Sequence, residues 1–272
     1  MQPPTVLSIA GSDSGGGAGV QADLRTFAAF AVHATTALTA VTAQNTLGVR
    51  DVMVVPADLV RAQVRAVTDD FTVVAVKTGM LGDADVVEAV ADLAREGLLA
   101  NLVVDPVLVS TTQHVLMRDG GVRAYREALF PLASVVTPNL REAAALCGVD
   151  VRDISSVEDM RRLGAELLTL GPRYVLVKGG HLARGGRDAP VPDVLTSAEG
   201  IVVLEAARVD TENDHGTGCS LSAALCAGLA HGRDVPAATR AAKDFVHAAL
   251  TGAASWRLGA GRGPLDHLGW GR

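Results

Sequence analysis

Asp214-His215-Gly216-Thr217-Gly218-Cys219-Ser220 sets two glycines one residue apart, directly before an apolar, alanine-rich run. The run predicts a helix over 217–230 with small residues on most faces. Gly216 and Gly218 can take backbone angles closed to other residues. A glycine turn that opens a helix leaves several backbone N–H groups unpaired and pointing one way, and the helix dipole adds positive charge there. Such a turn is an anion site, and phosphate is its usual occupant. Cys219 falls inside the turn, so its thiol faces whatever the anion hole holds. Taken alone, Gly-X-Gly before a helix reads equally as a tight turn, so the remaining segments decide.

The chain has 272 residues and is 49% hydrophobic, which suits one large α/β domain with a sizeable core. A net charge of -6 argues against a nucleic-acid partner. No run of about 18 apolar residues predicts a membrane span. The N-terminus lacks a basic stretch before its apolar run, so no signal peptide is expected. Cys147, Cys219 and Cys226 are few, odd in number and lack metal-ligand spacing, as expected in a reducing cytoplasm. Lysine is scarce: of 24 Lys+Arg only Lys77, Lys178 and Lys243 are lysine. Where Lys survives in so Arg-rich a chain, a compact ammonium on a flexible stem is a reason to keep it; coding bias is the alternative.

Strand-like and helix-like segments alternate. Thr5–Ala10 is a buried strand running into Gly11-Ser12-Asp13-Ser14-Gly15-Gly16-Gly17-Ala18-Gly19, a loop that can approach a ligand closely. The loop lacks the Gly-Lys-Ser/Thr of a Walker A loop and the spacing of a dinucleotide fingerprint, which disfavours a nicotinamide-dependent dehydrogenase. Val20–Phe30 reads as a helix; Asp23 either favours its N-terminus or faces the pocket. Ala34–Ala43 reads as a strand ending at Gln44-Asn45-Thr46, where Gln44 can donate to and accept from the edge of a heterocycle. Helices are expected at Asp58–Asp70, Asp83–Glu96, Val122–Leu129, Val157–Leu170 and Ala237–Leu250. Strands are expected at Val73–Lys77, Leu102–Asp105, Ser134–Thr137 and Tyr174–Val177, with a hairpin of Asp193–Thr196 and Ile201–Glu205. Asp105 and Lys178 lie at strand carboxyl ends, where ligands bind in parallel sheets; a carboxylate there is a candidate metal ligand. Asn139 and Glu142, three apart, either form a capping box or face a metal and a nucleotide together. The glycine-rich tail from Gly259 is expected to be loose. The alternation predicts one domain around a mainly parallel sheet.

In combination, Ala10–Asp23, Ala43-Gln44-Asn45-Thr46, Gly79-Met80-Leu81, Thr137-Pro138-Asn139-Leu140-Arg141-Glu142-Ala143, Lys178-Gly179-Gly180-His181 and His215–Cys219 carry a resemblance. The chain resembles the ribokinase-like small-molecule kinases, and among them the hydroxymethylpyrimidine/phosphomethylpyrimidine kinases of thiamine biosynthesis. The resemblance implies an α/β fold, ribokinase-like, with a central mostly parallel sheet flanked by helices on both faces, usually in a homodimer. It implies ATP and Mg2+ as cofactors and transfer of the ATP γ-phosphate to a pyrimidine hydroxymethyl group, then to the resulting phosphate. By motif, Gln44 would read the aminopyrimidine, and Gly11, Asp23, Met80 and Val107 would line its pocket. Gly216, Thr217, Gly218 and Cys219 would form the anion hole, with Lys178 beside the transferring phosphoryl. Asn139, Lys178 and Lys243 would face the nucleotide, and Asp105 and Glu142 would serve the metal.

Ribokinase relatives generally place Asp where Cys219 stands. A thiolate could take the alcohol's proton if the helix N-terminus lowers its pKa, and a neutral thiol would repel a phosphorylated substrate less. Two departures stand out: Ser110–His114 lacks an expected glycine, and Asp214 stands where Thr is common. That extra carboxylate should weaken phosphate binding unless it turns outward or meets the metal. A pyridoxal kinase of the same superfamily is the nearest alternative; a pyrimidine-binding regulator without turnover is a further one.

Overall fold

The computed structural model describes residues 2–108, 116–117, 120–180, 182 and 189–271. Ser110–His114 and His181 lie outside the described residues. An eight-stranded sheet forms the centre. It contains β1 (Thr5–Ala10), β2 (His33–Leu38), β5 (Val73–Thr78), β6 (Val103–Val104), β7 (Val135–Val136), β8 (Tyr174–Lys178), β9 (Val191–Ser197) and β10 (Gly200–Ala206). The spatial order is β10-β9-β8-β7-β6-β5-β1-β2. From β2 across to β8 the neighbours are parallel; β8–β9 and β9–β10 are antiparallel, the latter being the expected hairpin.

The parallel strands are short apolar runs because both their faces are covered. Alternate residues enter two separate cores. Leu7, Ile9, Val76, Val104 and Val136 pack with α2 (Ala57–Thr68), α3 (Ala84–Arg95), α4 (Gly121–Ala124), α5 (Leu140–Cys147) and α6 (Val157–Leu168). Val6, Ala75, Val103 and Val135 pack with α1 (Gly19–Ala29), α7 (Thr217–Ala230) and α8 (Val235–Ala253). The small residues of α7 let it lie close to α8: a Cβ on Gly228 would meet Ala238 Cβ at 2.8 Å.

Three expectations are corrected. The segment read as one strand, Ala34–Ala43, is two. β2 ends at Leu38, Thr39 bends the chain while donating to Ala10 O and Met80 O, and β3 (Ala40–Asn45) leaves the sheet. β3 pairs antiparallel with β4 (Gly48–Val54), a strand the sequence reading did not assign. The helix expected at Val122–Leu129 is one turn of α4 continued by a π-helical turn over Tyr125–Leu129. The tail is not loose. Pro264 bridges to His215, Leu265, Asp266 and His267 are buried, and Asp266 accepts from the N–H groups of Trp270 and Gly271. Its glycines serve close approach rather than mobility: a Cβ on Gly263 would sit 1.9 Å from Asn213 Oδ1.

Candidate active site

A cavity of about 640 Å3 opens along the carboxyl ends of the parallel strands. Gly11 follows β1, Met80 follows β5, Asp105 follows β6, Asn139 follows β7 and Lys178 ends β8, and all five line it. This is the crevice at which open α/β sheets bind ligands. Gln44 reaches it from β3, Val107 from the segment after Asp105, and Lys243 from α8.

The head of α7 closes one side. Gly216 caps the helix in the left-handed region at φ 87°, and a Cβ there would lie 1.8 Å from Gly17 O, so only glycine fits. Thr217 N–H donates to Asp214 O, whereas the N–H groups of Gly218 and Cys219 have no hydrogen-bond partner among the described residues. Gly218 is small where Lys178 comes close: a Cβ would stand 3.1 Å from Lys178 Nζ. A helix N-terminus, two N–H groups without a partner among the described residues and an ammonium close to Gly218 thus all border the cavity, the components from which an anion site is built.

Lys178 Nζ donates to Asp105 Oδ1 at 2.7 Å, and Thr137 and Ser222 donate to the same carboxylate at 3.2 and 3.3 Å. Burial works against the Lys178 ammonium, but Asp105 and Glu142 outweigh it and hold its pKa above the usual value. Burial pushes the Glu142 carboxyl up to about 7 against the pull of Lys178, with Asp105 adding repulsion. The capping box at Asn139 is real: its Oδ1 accepts from Arg141 and Glu142 N–H, and Glu142 Oε2 accepts from Asn139 N–H at 2.7 Å. Both residues also line the cavity, so forming the capping box does not take them out of the site. Lys243 Nζ donates to Asp193 Oδ2 at 2.6 Å, and Asp193 accepts from Gly179 N–H through its other oxygen.

The profile of the phosphomethylpyrimidine kinase family matches residues 13–266. The chain belongs to that family. It is 50% identical over 270 residues to a hydroxymethylpyrimidine/phosphomethylpyrimidine kinase of Streptomyces coelicolor, covering 99% of this chain and 96% of that one. A Rhizobium meliloti enzyme of the same name is 49% identical over 264 residues, covering 96% of each. Among solved structures, an ADP complex of Bacillus subtilis pyridoxal kinase superposes with TM-score 0.87 at 40% identity, covering 97% of both chains. A phosphomethylpyrimidine kinase from Clostridium difficile gives 0.77 at 35%, covering 89% of this chain and 97% of that one. The ribokinase-like fold expected from the motifs is thus present.

In this family member one expected pocket residue lies outside the cavity wall, and Cys219 follows the neutral-thiol alternative of the two posed for it. Asp23 does not line the cavity. It is fully buried on α1 and takes both contacts from Lys77 Nζ, at 2.9 and 2.8 Å, with Ser8 Oγ donating at 2.6 Å. Strand parity explains this: Ser8 and Lys77 point to the sheet face that α1 and α7 cover, one residue out of phase with Leu7 and Val76. Lys77 itself does line the cavity. Nor is Cys219 a ready thiolate. Burial pushes its thiol up to about 11 against the pull of Lys77, with Asp105 and Asp23 adding to the rise. The neutral thiol is the relevant form.

Asp214 turns to Arg262, which donates to it from both Nε (2.6 Å) and Nη2, so its charge is offset at the cavity mouth. The sequence reading missed this partner because Arg262 sits in the tail taken as loose. It also left Asp13 without a role. Asp13 is the hub of the glycine loop, accepting from Gly15, Gly17 and Ala18 N–H. An Asp set among five glycines is the signal that could have found it, since a carboxylate is the natural partner for loop N–H groups.

Proposed function

We propose that this chain catalyses ATP-dependent phosphorylation of 4-amino-5-hydroxymethyl-2-methylpyrimidine and then of its monophosphate, the activity named for its curated relatives. The observation that carries the reading is that one cavity is lined both by Lys178 with Gly218 and Cys219, whose N–H groups have no partner among the described residues, and by Gln44, Gly11, Met80 and Val107. Phosphoryl transfer depends on positioning and charge stabilisation more than on covalent chemistry. The N–H groups and Lys178 hold and neutralise the transferring phosphoryl. Asn139 and Lys243 line the nucleotide end; Thr217 fixes the turn through its N–H and Oγ1, both donating to Asp214 O.

The donor set fits Mg2+, which binds through one or two carboxylates and keeps waters and phosphates for its other positions. Asp105 and Glu142 supply two carboxylates beside Lys178, and among the described residues no cluster of three or more ligating side chains asks for a different ion. Mg2+ would add charge neutralisation at the transferring phosphoryl. Cys219 is a weak base for the alcohol. In a loose transition state the acceptor keeps its proton until late, so little base strength is required. In the second step the acceptor is an ionised phosphate, and a neutral thiol does not repel it.

The family's dimeric habit and the exposed Val41, Leu47 and Met53 on β3–β4 support a homodimer. Three unpaired cysteines suit a reducing cytoplasm. Pyridoxal is the second reading, favoured by the likeness to the Bacillus subtilis pyridoxal kinase. A coupled ATP-consumption assay with hydroxymethylpyrimidine, its monophosphate and pyridoxal, with Cys219→Ala as control, tests both. Turnover of both pyrimidines with pyridoxal much slower is expected. Pyridoxal as the better substrate would overturn the assignment, and tight pyrimidine binding without turnover would leave a regulator.

A further inference from the structure

Three parts of the site meet at His215. Its Nε2 lies 2.9 Å from Asp13 Oδ2, and Gln44 Nε2 lies 3.2 Å from the same nitrogen. Its ring also packs on the glycine loop: a Cβ on Gly17 would fall 2.4 Å from His215 Cδ2. Asp13 already accepts three backbone N–H donors, a task only the ionised carboxylate performs well. Burial raises its pKa, but the His215 contact and the Ala18 and Gly15 amides outweigh that and hold it below the ordinary value. An acceptor-only group must receive a proton from His215, so Nε2 carries the hydrogen whether the ring is neutral or charged.

That argues for the Gln44 amide turned over by 180°, oxygen rather than nitrogen toward the ring, since the two atoms are nearly alike in size and shape. A ring nitrogen has one in-plane position, and here it is an N–H. An amide NH2 against it would set donor against donor; the amide oxygen can share the hydrogen with Asp13. The Gln44 backbone is fixed on the same loop, since Ser14 Oγ donates to Gln44 O at 2.6 Å and accepts from Gln44 N–H at 2.8 Å.

We infer that His215, its proton placed on Nε2 by Asp13, is a positioning residue that turns the Gln44 oxygen away from the cavity and its NH2 into it. Gln44 then offers the substrate donors and no acceptor. The ligand edge it selects is that of a flat heteroaromatic ring with an unprotonated ring nitrogen. A ring presenting C–H or N–H at that place leaves the NH2 unpaired and is rejected. The inference rests on the proposed pyrimidine substrate and adds to it which atom type Gln44 reads.

The test is a double-mutant cycle read by calorimetric binding, which needs no turnover. Hydroxymethylpyrimidine is compared with the two analogues in which one ring nitrogen is replaced by C–H. The proteins are the wild type, His215→Phe, His215→Gln, Gln44→Ala and Gln44→Ala/His215→Phe. The wild type should bind the pyrimidine at least about tenfold tighter than one analogue, because an unpaired buried donor is costly. His215→Phe keeps a ring against Gly17 but has no N–H, and should reduce that preference to within about threefold. His215→Gln restores a donor at similar reach and should recover it. The double variant should discriminate no worse than Gln44→Ala, since His215 acts through Gln44. Undiminished preference in His215→Phe, or additive losses in the cycle, would overturn the inference; His215→Leu serves the same comparison if the Phe variant does not fold. Wild-type binding with the expected preference but no phosphorylation would sink the proposed activity and leave the inference standing. No wild-type binding would overturn both.

Discussion

Replacing Lys77 with Met should be among the most destabilising single changes available in this chain. Lys77 and Asp23 are both fully buried and joined by two contacts of 2.8–2.9 Å. Burial opposes both charges. At Lys77 the Asp23 and Asp105 charges outweigh it and raise the ammonium's pKa; at Asp23 burial outweighs the pull of Lys77 and raises the carboxyl's pKa. The short two-pronged contact, with Ser8 donating to the same carboxylate, favours an ionised pair. Breaking such a pair leaves a buried, uncompensated charge and costs about 3–5 kcal/mol, while replacing both partners with apolar groups is often close to neutral. With a urea m-value of about 3 kcal/mol/M, Lys77→Met should lower the unfolding midpoint by about 1–2 M. Asp23→Leu/Lys77→Met should recover more than half of that loss. Urea titration followed by circular dichroism measures both. A midpoint shift under about 0.3 M for Lys77→Met, or a double variant as unstable as the sum of its singles, would refute the view that the pair is held by mutual compensation.

Cys219→Asp should keep phosphorylation of the hydroxymethyl group within about tenfold while raising KM for the monophosphate by about tenfold or more, because a fixed negative charge then faces the phosphorylated substrate. Steady-state kinetics on both substrates check this, and equal effects on the two would count against a charge explanation. His267 is buried beside Ser220 and titrates near 4 rather than 6.5, because burial disfavours the imidazolium and Arg25 adds repulsion. The unfolded chain then takes up a proton at higher pH than the native one, so this contribution is full above about pH 6.5 and drains away as pH falls toward 4. Linkage puts the loss between pH 7 and pH 5 at about 2 kcal/mol. Urea titrations at both pH values should show the wild type losing about that much more stability than His267→Gln; equal losses would mean His267 is not buried in its neutral form.

Features written in short, local patterns were legible in the sequence. α7 begins at Thr217 and ends at Ala230 as expected, because its glycine turn and alanine run are local signals. The parallel strands are readable because burial on both faces leaves continuous apolar runs, and their carboxyl ends point to Asp105 and Lys178 from the sequence alone. What stayed hidden depends on pairs far apart in the chain. Asp23 looked like a pocket residue until strand parity placed Lys77 54 positions away against it. Asp214 looked like a charge at odds with phosphate until Arg262 closed on it from a tail whose glycines suggested looseness. Cys219 has a helix N-terminus to favour its thiolate, yet the burial that opposes it exists only once the sheet, α1 and α7 have come together. Sequence sets backbone preference and the inventory of charges; which charges are desolvated, and which partner offsets each, is decided by tertiary packing, because desolvation and Coulomb attraction depend on distance in space and not along the chain.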